Sequence, residues 1–399
     1  MKTKIVVLTV ILIMLISWGE SFARNLSDLI PGLYGGDGIT LFTTPLANHS
    51  PHFTVDSAAG INRLNEQIAA EIGVFPFSSS VGGFTFAFDK DLGTFVHTTE
   101  TLGPLFAERA PTLGAGKFDL NFSFTFFKFD KFGEESLNNF SVVARHNSDV
   151  IGFPDVREQF ELDTIRINLD LDIRVQVLSL AATYGITDRL DLGILIPIAR
   201  VDMDIKSHAQ VVESPENTLF PGVHTFVGGP ESPDDAASAS ASGLGDILLR
   251  AKYQMSKGDL VDISGSVLVK LETGDEKDFL GTGDTTIRPF LVFSRTFFDM
   301  LTPHLNIGYE FNLDRHDKNS VEYVAGFDIG NERLTVAADI LGSHETSGDN
   351  IGDNIVTGSL GAKWNLFKKF ILSVNIQVPL NESGLRSNLI STAGAEYSF

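Results

Sequence analysis

From Thr164 to Val177 the chain reads TIRINLDLDIRVQV, and its odd and even positions differ in kind. Ile165, Ile167, Leu169, Leu171, Ile173, Val175 and Val177 are aliphatic, while Thr164, Arg166, Asn168, Asp170, Asp172, Arg174 and Gln176 are polar or charged. A period of two predicts a strand with one apolar and one charged face. Wound as a helix, the same charges would ring the surface and leave no stripe to bury. The run also exceeds the about 5–6 residues of an ordinary strand and the about 9–11 that cross a bilayer. Such a strand fits the wall of a transmembrane barrel, with its apolar face to lipid and its charged face inward.

The same rhythm continues along the chain. KFDLNFSFTFFKFD (117–130) puts Phe118, Leu120, Phe122, Phe124 and Phe126 on one face. In 190–205, Leu190, Leu192, Ile194, Ile196 and Ile198 share a face, and the pattern then flips to Val201, Met203 and Ile205, which predicts a β-bulge near Ala199-Arg200. Further strands are expected at 244–254, 260–272, 285–296, 303–313, 320–329, 333–341, 354–365, 370–380 and 389–399. With the opening run these make twelve, and the even number suits a bacterial barrel. Short turns such as Gly185-Ile186-Thr187-Asp188 and Gly330-Asn331 alternate with long loops such as 131–160 and 206–242, which predicts periplasmic and extracellular ends. The low-complexity stretch ESPDDAASASASG (231–243) reads as mobile, with too little apolar surface to order itself. The fold class expected is therefore all-β: an up-and-down antiparallel transmembrane β-barrel.

The ends refine that picture. Lys2 and Lys4 precede an apolar run, and Ser21-Phe22-Ala23 offers a cleavage site, so residues 1–23 are expected to be a signal peptide. The last strand alternates Ala393, Ala395, Tyr397 and Phe399 with Gly394, Glu396 and Ser398, and its terminal aromatic is similar to the assembly signal of outer-membrane barrels. Residues 24–116 lack the strand rhythm. Within them 58–72 suits a short helix and a hairpin is expected around Asp89–Gly93, whose strands would raise the count to fourteen if they joined the wall. We read 24–116 as an N-terminal plug and 117–399 as the barrel. The net charge of −21 excludes a nucleic-acid binder, and the absence of cysteine excludes a disulfide framework and a lipid-modified cysteine.

Five segments carry a resemblance: GGFTFAFDKDLGTF (82–95), GPLFAERAPTLGAGKFD (103–119), YGITDRLDLGILIPI (184–198), GLGDILLRAKYQ (243–254) and KLETGDEKDFLGTGDTT (270–286). Together they resemble a family of outer-membrane channels for hydrophobic compounds. These are transporters linked to phenol and aromatic degradation and distantly related to the long-chain fatty-acid channel. The resemblance implies a monomeric barrel, an N-terminal hatch and passive diffusion of apolar small molecules.

Candidate residues fall into two sets. Phe75, Phe77, Phe84, Phe86, Phe88 and Phe106 would line an apolar ligand site in the plug or form the plug's own core. Arg166, Asp170, Asp172 and Arg174 would point into the lumen and either hold the hatch, with Glu108 and Arg109 as partners, or simply be solvated. The Asp/Asn loop GDNIGDN (348–354) lacks EF-hand spacing and reads as turn chemistry, and no metal or other cofactor is expected. No nucleophile elbow, HExxH or phosphate loop occurs, so no enzyme is expected. The function expected is a passive outer-membrane channel for hydrophobic or aromatic molecules. The alternatives are a water-filled porin for ions and small polar solutes, or a structural or adhesive barrel. Expected partners are outer-membrane lipid and lipopolysaccharide, the barrel-assembly machinery and a hydrophobic small molecule.

Overall fold

A strand crossing hydrocarbon must pair its backbone on both sides, and this chain does so by closing its sheet on itself. The computed structural model describes residues 25–30, 33, 68, 86–89, 94–97, 101–145, 163–215, 224–226, 229–231, 234–258, 260–346, 354–367 and 370–398. Fourteen strands form one antiparallel sheet. They are β1 Phe118–Phe129, β2 Phe140–Arg145, β3 Thr164–Thr187, β4 Leu190–Val212, β5 Asp235–Leu244, β6 Ile247–Lys257 and β7 Asp262–Leu271. The rest are β8 Thr286–Ser294, β9 Leu301–Asn312, β10 Ser320–Gly330, β11 Leu334–Glu345, β12 Asn354–Asn365, β13 Phe370–Pro379 and β14 Ile390–Ser398. Twelve of these close a barrel in chain order, with β14 returning to β1 through pairs from Ile390↔Phe127 to Ser398↔Asp119.

The two remaining strands lie beyond the ring. β2 pairs with the first residues of β3, past the end of β1, from Arg145↔Thr164 to Phe140↔Leu169. β5 pairs with β4 from Ile198↔Leu244 to Ser207↔Asp235, past the end of β6. These, and not the hairpin Phe86–Asp89/Thr94–His97, bring the sheet to fourteen; that hairpin forms at the expected place but as a separate two-stranded sheet. The stretch 231–243 also departs from expectation, because most of it is β5. Its Ala/Ser alternation is a strand pattern in small residues, and Ala237, Ala239 and Ala241 pack on the apolar core. The signal-peptide stretch 1–23, most of the helix expected at 58–72, the loop 348–353 and Phe399 lie outside the described residues.

In the lower wall the barrel is apolar outside and polar inside. Phe122, Phe124, Leu192, Ile194, Leu249 and Leu305 are exposed outward. Between them Asp119, Asn121, Ser123, Asp191, Lys252 and Asn306 are buried inward. On β4 the outward apolar run is Leu190 to Ile198. At about 3.3 Å per residue and a tilt near 40° it covers about 20–23 Å, close to the height of a lipid belt.

Above the belt the two faces exchange character. Going up, the outward residues change from Phe126 to Lys128 on β1, from Leu178 to Gln176 and Arg174 on β3, and from Ile198 to Arg200 on β4. These positions are neighbours: Phe126 pairs with Gln176, and Gln176 with Arg200. The inward residues change in the opposite sense, from Ser123, Ser179 and Thr125 to Phe127, Val175 and Val201. The expected bulge at Ala199-Arg200 is therefore absent. β3 and β4 keep one register from Thr164↔Val212 to Gly185↔Asp191, and the shift lies at Ile186 instead. The flip in hydrophobic pattern marks a change of surroundings, not a break in the strand.

The inner face of this upper ribbon is a core. Ile165, Leu169, Leu171, Ile173, Val175, Val201 and Met203 are at most 1% exposed. Leu26, Leu29, Ile30 and Leu33 pack on them, with Phe279 and Leu280 from the loop between β7 and β8. Phe279 adopts a left-handed conformation at φ 55° to make that turn, and Asp278 accepts a hydrogen bond from the Leu26 N–H at 3.1 Å.

The height of the belt gives a direct expectation. Ile194→Arg, at mid-belt, should destabilise the folded barrel by about 2–4 kcal/mol, whereas Arg174→Leu, above the belt, should change stability by less than about 1 kcal/mol. Urea titration of the barrel folded into lipid vesicles measures both.

Candidate functional site

Residues 101–116 cross the lumen at the end that carries the short turns, and polar side chains of the wall bind them strand by strand. The Leu102 N–H donates to Thr335 Oγ1 at 2.8 Å, the Glu108 N–H to Asn306 Oδ1 at 2.6 Å and the Ala110 N–H to Ser294 Oγ at 2.9 Å. The Leu113 N–H donates to Asp191 at 2.9 Å, and Lys252 Nζ donates to the Arg109 carbonyl at 3.0 Å. A loop buried in a lumen must satisfy its backbone this way, since it has no ladder of its own. The final contact needs glycine: a Cβ on Gly185 would collide with the Gly114 carbonyl, and Gly116 N–H donates to the Gly185 carbonyl at 2.8 Å.

Two buried ionic groups clamp the segment. Glu108 lies 2.9 Å from Arg250 and 3.6 Å from Lys252, all three nearly enclosed. Arg109 pairs with Asp328, which also accepts from Thr101 Oγ1 at 2.8 Å. Behind that pair His304 Nδ1 lies 3.7 Å from Asp328, and its Nε2 lies 2.6 Å from Asp339. Opposite charges neutralise each other there, which a buried charge requires.

Above this floor lies a cavity of about 390 Å³. Phe106 and Glu108 face it from below. Its lining is mixed. β14, β1, β3, β4 and β6 present Ile390, Phe127, Phe129, Ala181, Leu195 and Leu248, together with Thr183 and Arg250. β7 to β11 present Lys270, Arg288, Glu310, Glu322 and Ser343. The volume is at the lower end of small-molecule sites, which are mostly apolar with a few placed polar groups.

The residues singled out in the sequence separate as follows. Phe106 is 8% exposed and lines the cavity. Phe86 and Phe88 lie on the strand Phe86–Asp89, and Phe75, Phe77 and Phe84 lie outside the described residues. Glu108 and Arg109 are in the lumen, but their partners are Arg250, Lys252 and Asp328. Arg166, Asp170, Asp172 and Arg174 are on the opposite face of β3 from Thr183 and Ala181, so they point outward, a correction to the inward reading. Their long strand runs past the membrane, where the outside is water and the inside is core. There Lys128 and Asp172 pair at 2.9 Å and Arg174 and Asp204 at 2.6 Å across adjacent strands. The partners that sequence reasoning missed did carry a signal: in ILLRAKYQ, Arg250, Lys252 and Gln254 alternate with Leu249, Ala251 and Tyr253.

The family model described as "Putative MetA-pathway of phenol degradation" matches residues 163–386, more than half of the chain. No curated protein sequence matches it. Among solved structures, an outer-membrane channel from Pseudomonas putida F1 is 13% identical over 73% of this chain and 98% of its own, with a TM-score of 0.45. The Ralstonia pickettii toluene transporter TbuX is 14% identical over 82% of this chain and 98% of its own, with a TM-score of 0.39. A Pseudomonas aeruginosa FadL homologue is 11% identical over 71% of this chain and 88% of its own, with a TM-score of 0.33.

Asp328→Ala should strand the Arg109 guanidinium among buried groups and cost about 3–5 kcal/mol, whereas Arg109→Met combined with Asp328→Leu should recover most of that loss. Urea midpoints, with protease cleavage between residues 101 and 113 as a second readout, check both. Equal loss in the single and double variants would contradict the clamp.

Proposed function

The chain belongs to the MetA-pathway phenol-degradation family, and we propose that it is a passive outer-membrane channel for hydrophobic or aromatic small molecules. Residues 24–116 act as its plug, of which 101–116 are the floor, and residues 1–23 are a cleaved export signal. The observation that carries this reading is the tethering of 101–116 across the lumen, at the end of the short turns, beneath a cavity lined in part by Phe127, Phe129, Leu195 and Leu248. An apolar solute enters from the side of the long loops, where Arg315, Lys318, Glu345, Asn381 and Arg386 line the mouth. It then exchanges water for Phe127, Phe129, Leu195 and Leu248, a transfer favoured by about 25 cal/mol per Å² of apolar surface. Release inward follows when 101–116 shift from their wall partners. The polar bonds that hold them have replacements in water, which makes such a shift feasible within a folded barrel.

The three readings differ in what they require of the lumen. A general porin keeps a continuous aqueous path, and an adhesive barrel needs neither a ligand cavity nor a clamped inner segment. The bonds from 101–116 to β4, β6, β8, β9, β10 and β11 favour the gated channel over both.

Flux of a radiolabelled arene into proteoliposomes tests the proposal. The full chain should pass the arene faster than it passes a sugar of similar size, and Phe129→Asp, which charges the apolar wall, should reduce arene flux about tenfold or more. Equal passage of arene and sugar, unchanged by Phe129→Asp, would sink it.

A further inference from the structure

Behind the Arg109–Asp328 clamp sits a titratable group that takes no part in the ion pair itself. His304 on β9 lies between two carboxylates, with Nε2 2.6 Å from Asp339 on β11 and Nδ1 3.7 Å from Asp328 on β10. All three side chains are fully enclosed. Among the described residues, neither His304 Nδ1 nor Asp339 Oδ2 has a hydrogen-bond partner. The charged groups that face His304 are few. The inner segment supplies Arg109 through its pair with Asp328, β10 supplies Asp328 and β11 supplies Asp339. The strand partners directly opposite His304 are uncharged, Ser294 on β8 and Gly326 on β10.

The charge of this enclosed cluster decides its chemistry. Arg109 is positive, and Asp328 and Asp339 carry one negative charge each, so the cluster is neutral only when one proton sits on the His304–Asp339 pair. A ring with a carboxylate at each nitrogen is arranged for an imidazolium, which donates from both. We propose that this proton is a switch for the floor: while His304 and Asp339 hold it, 101–116 stay sealed against the wall, and its loss as pH rises loosens them. The inference rests on the reading of 101–116 as the floor. Without the proton one negative charge is left uncompensated among enclosed groups, which is strongly unfavourable. Water entry or a shift of Asp328 relieves it, and either disturbs what the floor is tied to. Asp328 holds both Thr101 and Arg109. Asn306, two residues along β9 from His304, holds the N–H and the carbonyl of Glu108 at 2.6 and 2.9 Å. The sealed state therefore binds one proton more than the loosened state, and by linkage acid favours the seal while alkali favours its release.

Efflux of radiolabelled sodium from proteoliposomes of the refolded full chain tests the switch, with protein-free vesicles as background. The vesicles are buffered alike on both faces, from about pH 5 to about pH 10, a range that brackets imidazole titration. Efflux should stay near background at the acid end and rise about tenfold toward the alkaline end, a usual size for coupling between sites. Asp339→Asn leaves Arg109 and Asp328 balanced beside a neutral His304, so its efflux should stay low throughout. His304→Gln cannot carry the ring's charge, so its leak should begin at lower pH than that of the unaltered protein. A flat, low profile in the unaltered protein would overturn the switch and leave the floor standing. So would an alkaline rise that survives unchanged in Asp339→Asn, which would assign the response to another group such as Lys252, or an unshifted profile in His304→Gln. High efflux from the unaltered protein already at the acid end would overturn the floor itself and the switch with it. Should Asp339→Asn fail to fold, the unaltered profile and the His304→Gln shift decide the matter.

Discussion

The demand that every backbone N–H and C=O in hydrocarbon be paired within the protein governs the rest of this molecule. Closing the sheet from β14 to β1 meets that demand for the wall. It also creates an interior whose side chains alternate with a lipid-facing set, and the interior set then determines what can be held there. The chain fills the lower interior with polar side chains, and those of Asp191, Lys252, Ser294, Asn306, Asp328 and Thr335 bond residues 101–116. Glu108 and Arg109 reach buried counter-charges on β6 and β10, so the inner segment is fixed to strands far apart in sequence.

A second consequence follows from letting β3 and β4 run on past the lipid. Strand alternation cannot change, but the solvents on its two sides do. Below the boundary the outer face meets lipid and the inner face meets bonded polar groups. Above it the outer face meets water and the inner face meets a packed core that includes Leu26, Phe279 and Phe129. The cavity lies where these regimes meet, between the apolar core above and the ionic floor below. Its lining is therefore mixed, with Phe127, Phe129, Leu195 and Leu248 close to Arg250, Lys270 and Arg288.

Much of this architecture was legible in the chain itself, for a physical reason: period-two alternation is imposed by strand geometry and survives any tertiary context. The twelve barrel strands and their short turns follow from it. What the alternation does not reveal is which face is inside. Ile165 to Val177 carry the same pattern as a lipid-facing wall, and only pairing with β2 and burial under the N-terminal residues makes that face a core. The flip after Ile198 was visible, but a pattern flip has two causes, a bulge and a change of medium, and local sequence does not separate them. β5 was missed because alanine and serine differ too little in hydrophobicity to register as amphipathic. The partners of Glu108 and Arg109 required knowing which strands meet across the lumen, a relation between residues more than a hundred positions apart.

The central claim is that the inner segment seals a barrel whose cavity receives an apolar guest. Single-channel conductance of the full chain, refolded into a planar bilayer at high salt, tests it most directly. The account predicts inserted barrels that carry almost no steady ionic current, and measurable current once Glu108 and Arg109 are both replaced by alanine. A large, constant, salt-dependent current from the unaltered protein would contradict it and identify an open aqueous pore.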